Sequence, residues 1–546
     1  MKTATLTRFA NPVLKQFALL ATFCCAMWAA ACSGGDSNPT PPPPTGNFSN
    51  SSLKGQYAFY MSGTIFTNNG PTFFARVGSF TADGNGGITG GLEDVDVSGA
   101  PETIPLSPSN YNIQPDGRGT LNLTGSGPLT FSVTLLSKTE GLMVETDGGA
   151  TTSGKFFLQD PSSFANGFSG DYVFDVSGID FNNTTFGVPD SIVGQFIANG
   201  SGGLAGMLDE NDNAVPSGPH TFSSGSYQLD ANSGNGTNFG RGLMTFVANG
   251  ITYNFVYYVV NASRLCLIEN SSVSKVVTVG TATTQSTVPT SNSTFNGDFA
   301  FLVTGSGVSG PYTRIGRLTA GGTGGLTKIF ADNNDAGSTS QVPKGSLSAT
   351  NYSVDPNFPG SGRGTLTYTD SSLGTYSFVF YLGSPSTGFL QDVSINNKKG
   401  VVGDGTIRLQ TGAPFSLAGL AGDYGLNFSG VSSNGSTGLT AEEDYVGRVS
   451  FASSSAGGNV SGALDFSEFS SNQGAFLNVV VSGNGLSIGG DGSTSSGTRN
   501  ALQLKLAGNP SSTLNFVPYI IDSQRLIVAG TDSNRVISGV ITLQAP

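Results

Sequence analysis

Three times the chain places an arginine between glycines: Gly117-Arg118-Gly119, Gly240-Arg241-Gly242 and Gly362-Arg363-Gly364, with Arg499 the nearest counterpart further on. A guanidinium is a planar fork of donors that matches a carboxylate or sulfate, so Arg118, Arg241 and Arg363 are candidates for a ligand clamp. The same side chain can instead close one end of a domain, its stem over aromatics and its head on backbone carbonyls. A residue needed in nearly every copy of a repeat is more simply part of the fold, so the structural role is the expectation.

Acidic clusters are the second candidate: Glu93, Asp94 and Asp96; Asp209, Glu210 and Asp212; Asp332 and Asp335. Calcium takes about six to eight oxygen ligands, and loops dense in Asp and Asn can supply them. The run from Asp209 lacks the glycine such a loop needs, and His220 stands where a bidentate glutamate would close it. Asp/Asn turn chemistry is therefore expected, and no metal is assigned. Glu145, Glu269 and Asp392 fall at similar points of successive repeats. Paired carboxylates hydrolyse glycosides, but acids a domain apart read as solvated strand ends. His220 is the only histidine, which excludes a recurring histidine-based triad. Turns such as Asp83–Gly87 are followed by no lysine-bearing helix, so they are not phosphate loops. No catalytic residue and no cofactor is assigned, and the chain reads as a non-enzyme.

The elements that carry these residues repeat. Val77–Asp94 (VGSFTADGNGGITGGLED) recurs as Val193–Glu210 and Ile315–Asp332, and more loosely from Val446 to Asp465. Alternating apolar residues around Asp-Gly or Asn-Gly signal a β-hairpin with a type I′ turn. The openings Gly55-Gln-Tyr, Gly170-Asp-Tyr, Gly297-Asp-Phe and Gly422-Asp-Tyr set the period of tandem domains rather than of a solenoid. Short strands bounded by Gly, Pro, Asn and Ser can be placed eight to a repeat, with Tyr57, Phe59 and Met61 on one face of the first. The sixth strands, Tyr253–Val260 and Tyr376–Leu382, are apolar on both faces, so their outer faces are covered as well. Repeats end in Leu158-Gln159, Leu409-Gln410 and Leu543-Gln544, whereas the second ends differently, near Gly280–Gln285. With 79 glycines and only 11% charged residues, the composition suits strands and turns rather than helices.

The N-terminus reads differently. Lys2, Arg8 and Lys15 precede the apolar run Phe17–Ala31, and Ala29-Ala30-Ala31-Cys32 follows the pattern of small residues ending in a cysteine. This resembles the lipobox of bacterial lipoproteins, which implies a signal peptide over 1–31 and lipidation of Cys32. Ser33 after the cysteine implies outer-membrane sorting by the same resemblance. Residues 32–50, with Pro41–Pro44, read as an extended tether. Without the leader the balance is 21 basic against 36 acidic residues, from 24 and 36. So acidic a chain repels nucleic acid, and its membrane partner is reached through lipid.

The expected fold class is all-β: four tandem domains, each an eight-stranded antiparallel meander barrel, with a β-sandwich as the alternative. The domains are placed at 51–164, 165–280, 294–412 and 413–546, with a Thr/Ser-rich linker at 281–293. An eight-stranded meander opening with Gly-x-aromatic resembles the calycin group of lipocalins and avidins, which would imply carriage of small apolar ligands. The leading expectation is a lipid-anchored envelope protein with a non-catalytic binding, adhesion or spacer role. An apolar carrier is the alternative, and an envelope glycosidase is a third reading.

Overall fold

A computed structural model describes residues 46–546 except positions 69, 165–167, 183–186, 231–236, 287–289, 397–398, 434–438, 455–456, 470–473, 489–498 and 508–511. The expected signal peptide, Cys32 and most of the tether lie outside the described residues. The described chain is all-β, with strands paired antiparallel in four eight-staved barrels.

In the first barrel Lys54–Thr67 pairs with both Gly70–Asp83 and Ala150–Leu158, which closes the ring. Its fourth stave is two strands, Ala100–Leu106 and Ser109–Ile113, separated at Pro108 and both paired with Gly87–Val97. Proline cannot donate to a ladder. Ala100–Leu106 itself contains Pro101 and Pro105, so it reads as a loop in the sequence and is a strand only because one partner suffices. The third barrel breaks at Pro343 in the same way, into Ser338–Val342 and Leu347–Val354, and closes through the bridge Gly325–Asn351. In the second barrel the equivalent strand, Val215–Leu229, is continuous and carries His220, which the sequence places in a loop.

In the first three copies the opening hairpin has a three-residue turn, not the two-residue type I′ expected. Residues 84–86 join the strands, a register shift follows at Thr81/Ala82, and the Asp83 carboxylate accepts from the backbone N–H of Asn85 and Gly87 at 2.6 and 2.9 Å. Turn acceptors of this kind make the Asx chemistry local and structural. The second domain also extends further than its composition suggests. Val276–Thr284 is its last strand, so Thr281–Thr284 belong to the barrel and not to a linker.

Each barrel interior is filled by its own side chains. Tyr57, Phe59, Met61, Phe80 and Phe131 fill the first, Tyr172, Phe174, Phe196 and Phe246 the second, Phe299, Phe301 and Phe378 the third, and Tyr424, Leu426 and Phe516 the fourth. Eight staves enclose only enough space for packed side chains or one small ligand, and here they enclose side chains. The opening tyrosine has a second task. The hydroxyls of Tyr57, Tyr172 and Tyr424 donate to Lys138, Ala262 and Ser523 carbonyls at 2.8, 2.6 and 2.8 Å, tying the first stave to the turn between the sixth and seventh.

The barrels form a closed ring. The first three staves of each pack on the last three of the next, and those of the fourth pack on the first. Outward residues make the seams. Ala58, Val77 and Phe157 meet Val256, Tyr258 and Cys266 between the first and second barrels. Val173, Val193 and Met207 meet Val379 and Tyr381 between the second and third, and Ala300 and Ile315 meet Val517, Tyr519 and Ile527 between the third and fourth. Leu136, Leu142 and Val144 meet Val446 at the closing seam. The doubly apolar sixth strands are thus the covered faces of joints. Cys266 lies in one, its thiol pushed up to about 12 by burial.

Candidate functional site

The glycine-flanked arginines belong to the joints. Arg241 of the second barrel grips Asp94 of the first in a two-pronged contact, Nε to Oδ2 and Nη2 to Oδ1, both 2.8 Å. Arg363 of the third grips Asp209 of the second in the same way, at 2.7 Å for both prongs. Arg499 of the fourth reaches Asp332 of the third at 3.1 Å. A buried tyrosine completes each: the Tyr258, Tyr381 and Tyr519 hydroxyls donate to the same carboxylates at 2.8, 2.7 and 2.6 Å. Burial, and then the facing carboxylate, hold these phenols well above their ordinary range, so they remain donors.

The motif's glycines follow from this placement. Gly117, Gly240 and Gly362 have φ of +85°, +71° and +71°, and a Cβ there would meet the side-chain nitrogen of a glutamine from the preceding barrel at 2.7, 3.1 and 2.4 Å. Those glutamines are Gln544, Gln159 and Gln285. Each donates to two carbonyls of the next barrel: Gln159 to Phe239 and Val259, Gln285 to Ser361 and Leu382, and Gln544 to Asp116 and Leu135. Gln410 reaches Ile520. The repeat ends therefore share a glutamine, Gln285 included, although the leucine before it is absent in the second copy.

The closing joint departs from this scheme. Arg118 donates to Asp116 of its own barrel at 2.8 Å and to Asn478 of the fourth at 3.0 Å, and Thr134 stands where the others have tyrosine. Phe66 stacks on Phe469 with ring centroids 4.0 Å apart. The three arginines therefore do not close barrel ends on backbone carbonyls as expected. Arg241 and Arg363 link barrels through carboxylates and Arg118 through the Asn478 amide, and Asp94, Asp209 and Asp332 sit on strands rather than in calcium loops.

Glu145, Glu269 and Asp392 are not solvated strand ends. All three are buried, each inside its own barrel, and they are not brought into one cleft. Glu145 accepts from Thr152 and Glu269 from Thr278 and Ser274, while Arg314 pairs with Asp392. Burial pushes Glu145 up to about 7 and Glu269 up to about 8.

One joint position differs between copies in a way sequence alone does not flag. Asn211 donates to the Asp392 and Val401 carbonyls of the third barrel, and Asn334 to Gly530 and Arg535 of the fourth. Strand register puts Asp96 at the same position in the first barrel. Its carboxyl is fully buried, and burial pushes it up to about 7. Asp96→Asn is expected to stabilise the protein by about 1–2 kcal/mol at pH 9, where a carboxylate at this position has no proton to donate, and by much less at pH 5. Melting temperatures at the two pH values check this; a lower value at pH 9 would show that the second barrel offers no acceptor there.

The ring also leaves space between barrels. A cavity of about 540 Å³ lies where the first three barrels meet, lined by Tyr60, Lys155, Arg264, Asp404 and Arg408 among others.

No protein-family model matches the chain, and no curated protein matches it. Among solved structures, it is similar to a variant of transferrin binding protein B from Haemophilus parasuis at 12% identity, over 75% of this chain and 82% of that one, with a TM-score of 0.19. Isotype 1 transferrin binding protein B from serogroup B Neisseria meningitidis gives 9% identity over 75% and 83%, also at 0.19. A protein of unknown function from Nostoc punctiforme gives 12% over 46% and 96%, at 0.13. Scores this low carry no argument about function.

Proposed function

We propose that the chain is a lipid-anchored cell-envelope protein with a non-catalytic binding role, its four barrels serving as a scaffold that presents surfaces rather than as containers. The observation that supports this most is that all four barrel interiors are filled by their own aromatic and aliphatic side chains. A carrier of small apolar molecules needs an open interior with a polar mouth, so the calycin-like reading is set aside. A glycosidase needs two carboxylates within about 5–10 Å across one cleft, and the three candidate acids occupy separate barrels.

Anchoring rests on Cys32 and its small-residue context. Cys32→Ala is expected to move the protein from the membrane to the soluble fraction and to abolish incorporation of labelled fatty acid. Membrane pelleting of this variant, together with an unlabelled wild type, would overturn the anchor. Outer-membrane placement is tested by separating the membranes on a density gradient.

A further inference from the structure

The four copies differ in charge along the last two staves, part of which lines the cavity between the first three barrels. Strand register places Glu140, Arg264, Thr387 and Arg525 at one equivalent position, with Phe157, Thr283, Arg408 and Thr542 opposite them. Two residues along, Lys155 stands where the other barrels have Thr281, Thr406 and Val540. The repeat has thus been varied here toward positive charge, in a chain whose net charge is −12.

Of these cations only Arg525 has a carboxylate in ion-pair reach; Lys155, Arg264 and Arg408 have none among the described residues. Among the described residues every arginine except two has a carboxylate in ion-pair reach, and the two exceptions, Arg264 and Arg408, line the same cavity. The Arg264 guanidinium lies 4.4 Å over the Phe157 ring, which fixes its direction without neutralising it. Burial lowers Arg408 to about 10, helped by Arg525 and Arg264. Lys155 is lowered too, first by burial, with Glu140 opposing and Arg408, Arg264 and Arg525 adding to the shift. Glu140 and Asp522 are the facing carboxylates, and Asp522 already lies 3.9 Å from Arg525. Asp175 and Asp404 also line the cavity and share a hydrogen bond: burial and the facing Asp404 raise Asp175 well above the carboxylate range, whereas Asp404 is raised only to about 6, so the pair brings about one negative charge against three cations at neutral pH. Half-buried cations that repel one another are unfavourable unless something of opposite charge joins them.

We propose that this cavity binds a small multivalent oxyanion, held by Arg264, Arg408 and Lys155 with threonine hydroxyls such as those of Thr283 and Thr406 as further donors. Guanidinium forks match tetrahedral and carboxylate oxyanions alike, so phosphate, sulfate and polycarboxylate groups share the required chemistry. The assignment does not depend on lipid anchoring.

The test uses the mature full-length chain, titrated calorimetrically with pyrophosphate, sulfate and citrate at constant ionic strength, alongside thermal melting. At least one of the three is expected to bind once per chain and raise the melting temperature, and which one does so identifies the source of the charge. Arg408→Gln and Arg264→Gln should each weaken binding about tenfold or more. A surface control, Lys328→Gln, should leave it unchanged. Arg408→Gln without ligand should melt at the same temperature as wild type or higher, because repulsion is relieved. Failure of all three anions to bind, or wild-type affinity in both arginine variants, would overturn the site. An Arg408→Gln protein that melts lower yet binds normally would make Arg408 structural; Arg264→Gln then decides whether the cavity binds at all.

Discussion

Replacing Arg363 by methionine is expected to destabilise the protein by about 3–5 kcal/mol, among the largest effects available to a single substitution outside the barrel cores. Arg363 fills a buried joint and makes two contacts of 2.7 Å to Asp209, with Asp355 at 2.6 Å on its other side. Methionine keeps the stem but leaves Asp209 as a buried carboxylate with only Tyr381 as donor. The cost is therefore chiefly an uncompensated charge, not lost packing. Pairing the change with Asp209→Asn should recover part of the loss, since an amide can be buried more cheaply than an ion. Denaturant titration of wild type, both single variants and the double variant gives the coupling. Additive single effects would mean that Arg363 and Asp209 do not act as a pair. The corresponding Arg118 change should cost less, because Asp116 lies in the same barrel and Asn478 is neutral.

Stability should fall as pH rises from 5 to 9. The carboxyls responsible are buried and hold their protons in the folded state. Glu145 and Glu269 are pushed by burial to about 7 and 8. In the second barrel Asp190 is raised by burial and by Glu210, Glu269, Asp212 and Asp180. At the closing joint Glu442 and Asp444 face one another and are both raised. Unfolded, these groups ionise near pH 4, so the folded chain binds more protons and loses stability with rising pH. The contribution is complete below about pH 4 and is lost as pH passes through 7 to 8. Raising a carboxyl's pKa by one is worth about 1.4 kcal/mol, so Glu269 alone contributes on the order of 5 kcal/mol. Melting temperatures should drop steadily across this window, and Glu269→Gln should flatten the slope. A melting temperature that rises from pH 5 to 9 would mean that these acids are ionised in the folded protein.

Much of the architecture is legible in residue order. Alternation in Tyr57–Met61 and its copies identifies the inward face, and apolar residues on both sides of Tyr253–Val260 signal that a neighbour covers it. The strand Ala100–Leu106 is not legible, because two prolines and an exposed face remove both the propensity and the alternation that mark a strand. The roles of the arginines and acids are hidden for a different reason. Arg241 and Asp94 are separated by a whole domain, and either residue alone suits a surface or a ligand site. Only the ring brings them together. The cavity cations are less visible still, since Lys155, Arg264 and Arg408 come from three repeats and share no local motif.

Closure of the ring also orders events in time. A chain made from its N-terminus completes the first barrel while the fourth does not yet exist. Leu136, Leu142, Val144 and Phe66 must then face water until Val446 and Phe469 arrive to cover them. The seam that joins the oldest part of the chain to the newest is thus the stickiest surface of every partly made molecule, and it calls for a chaperone's attention until synthesis ends.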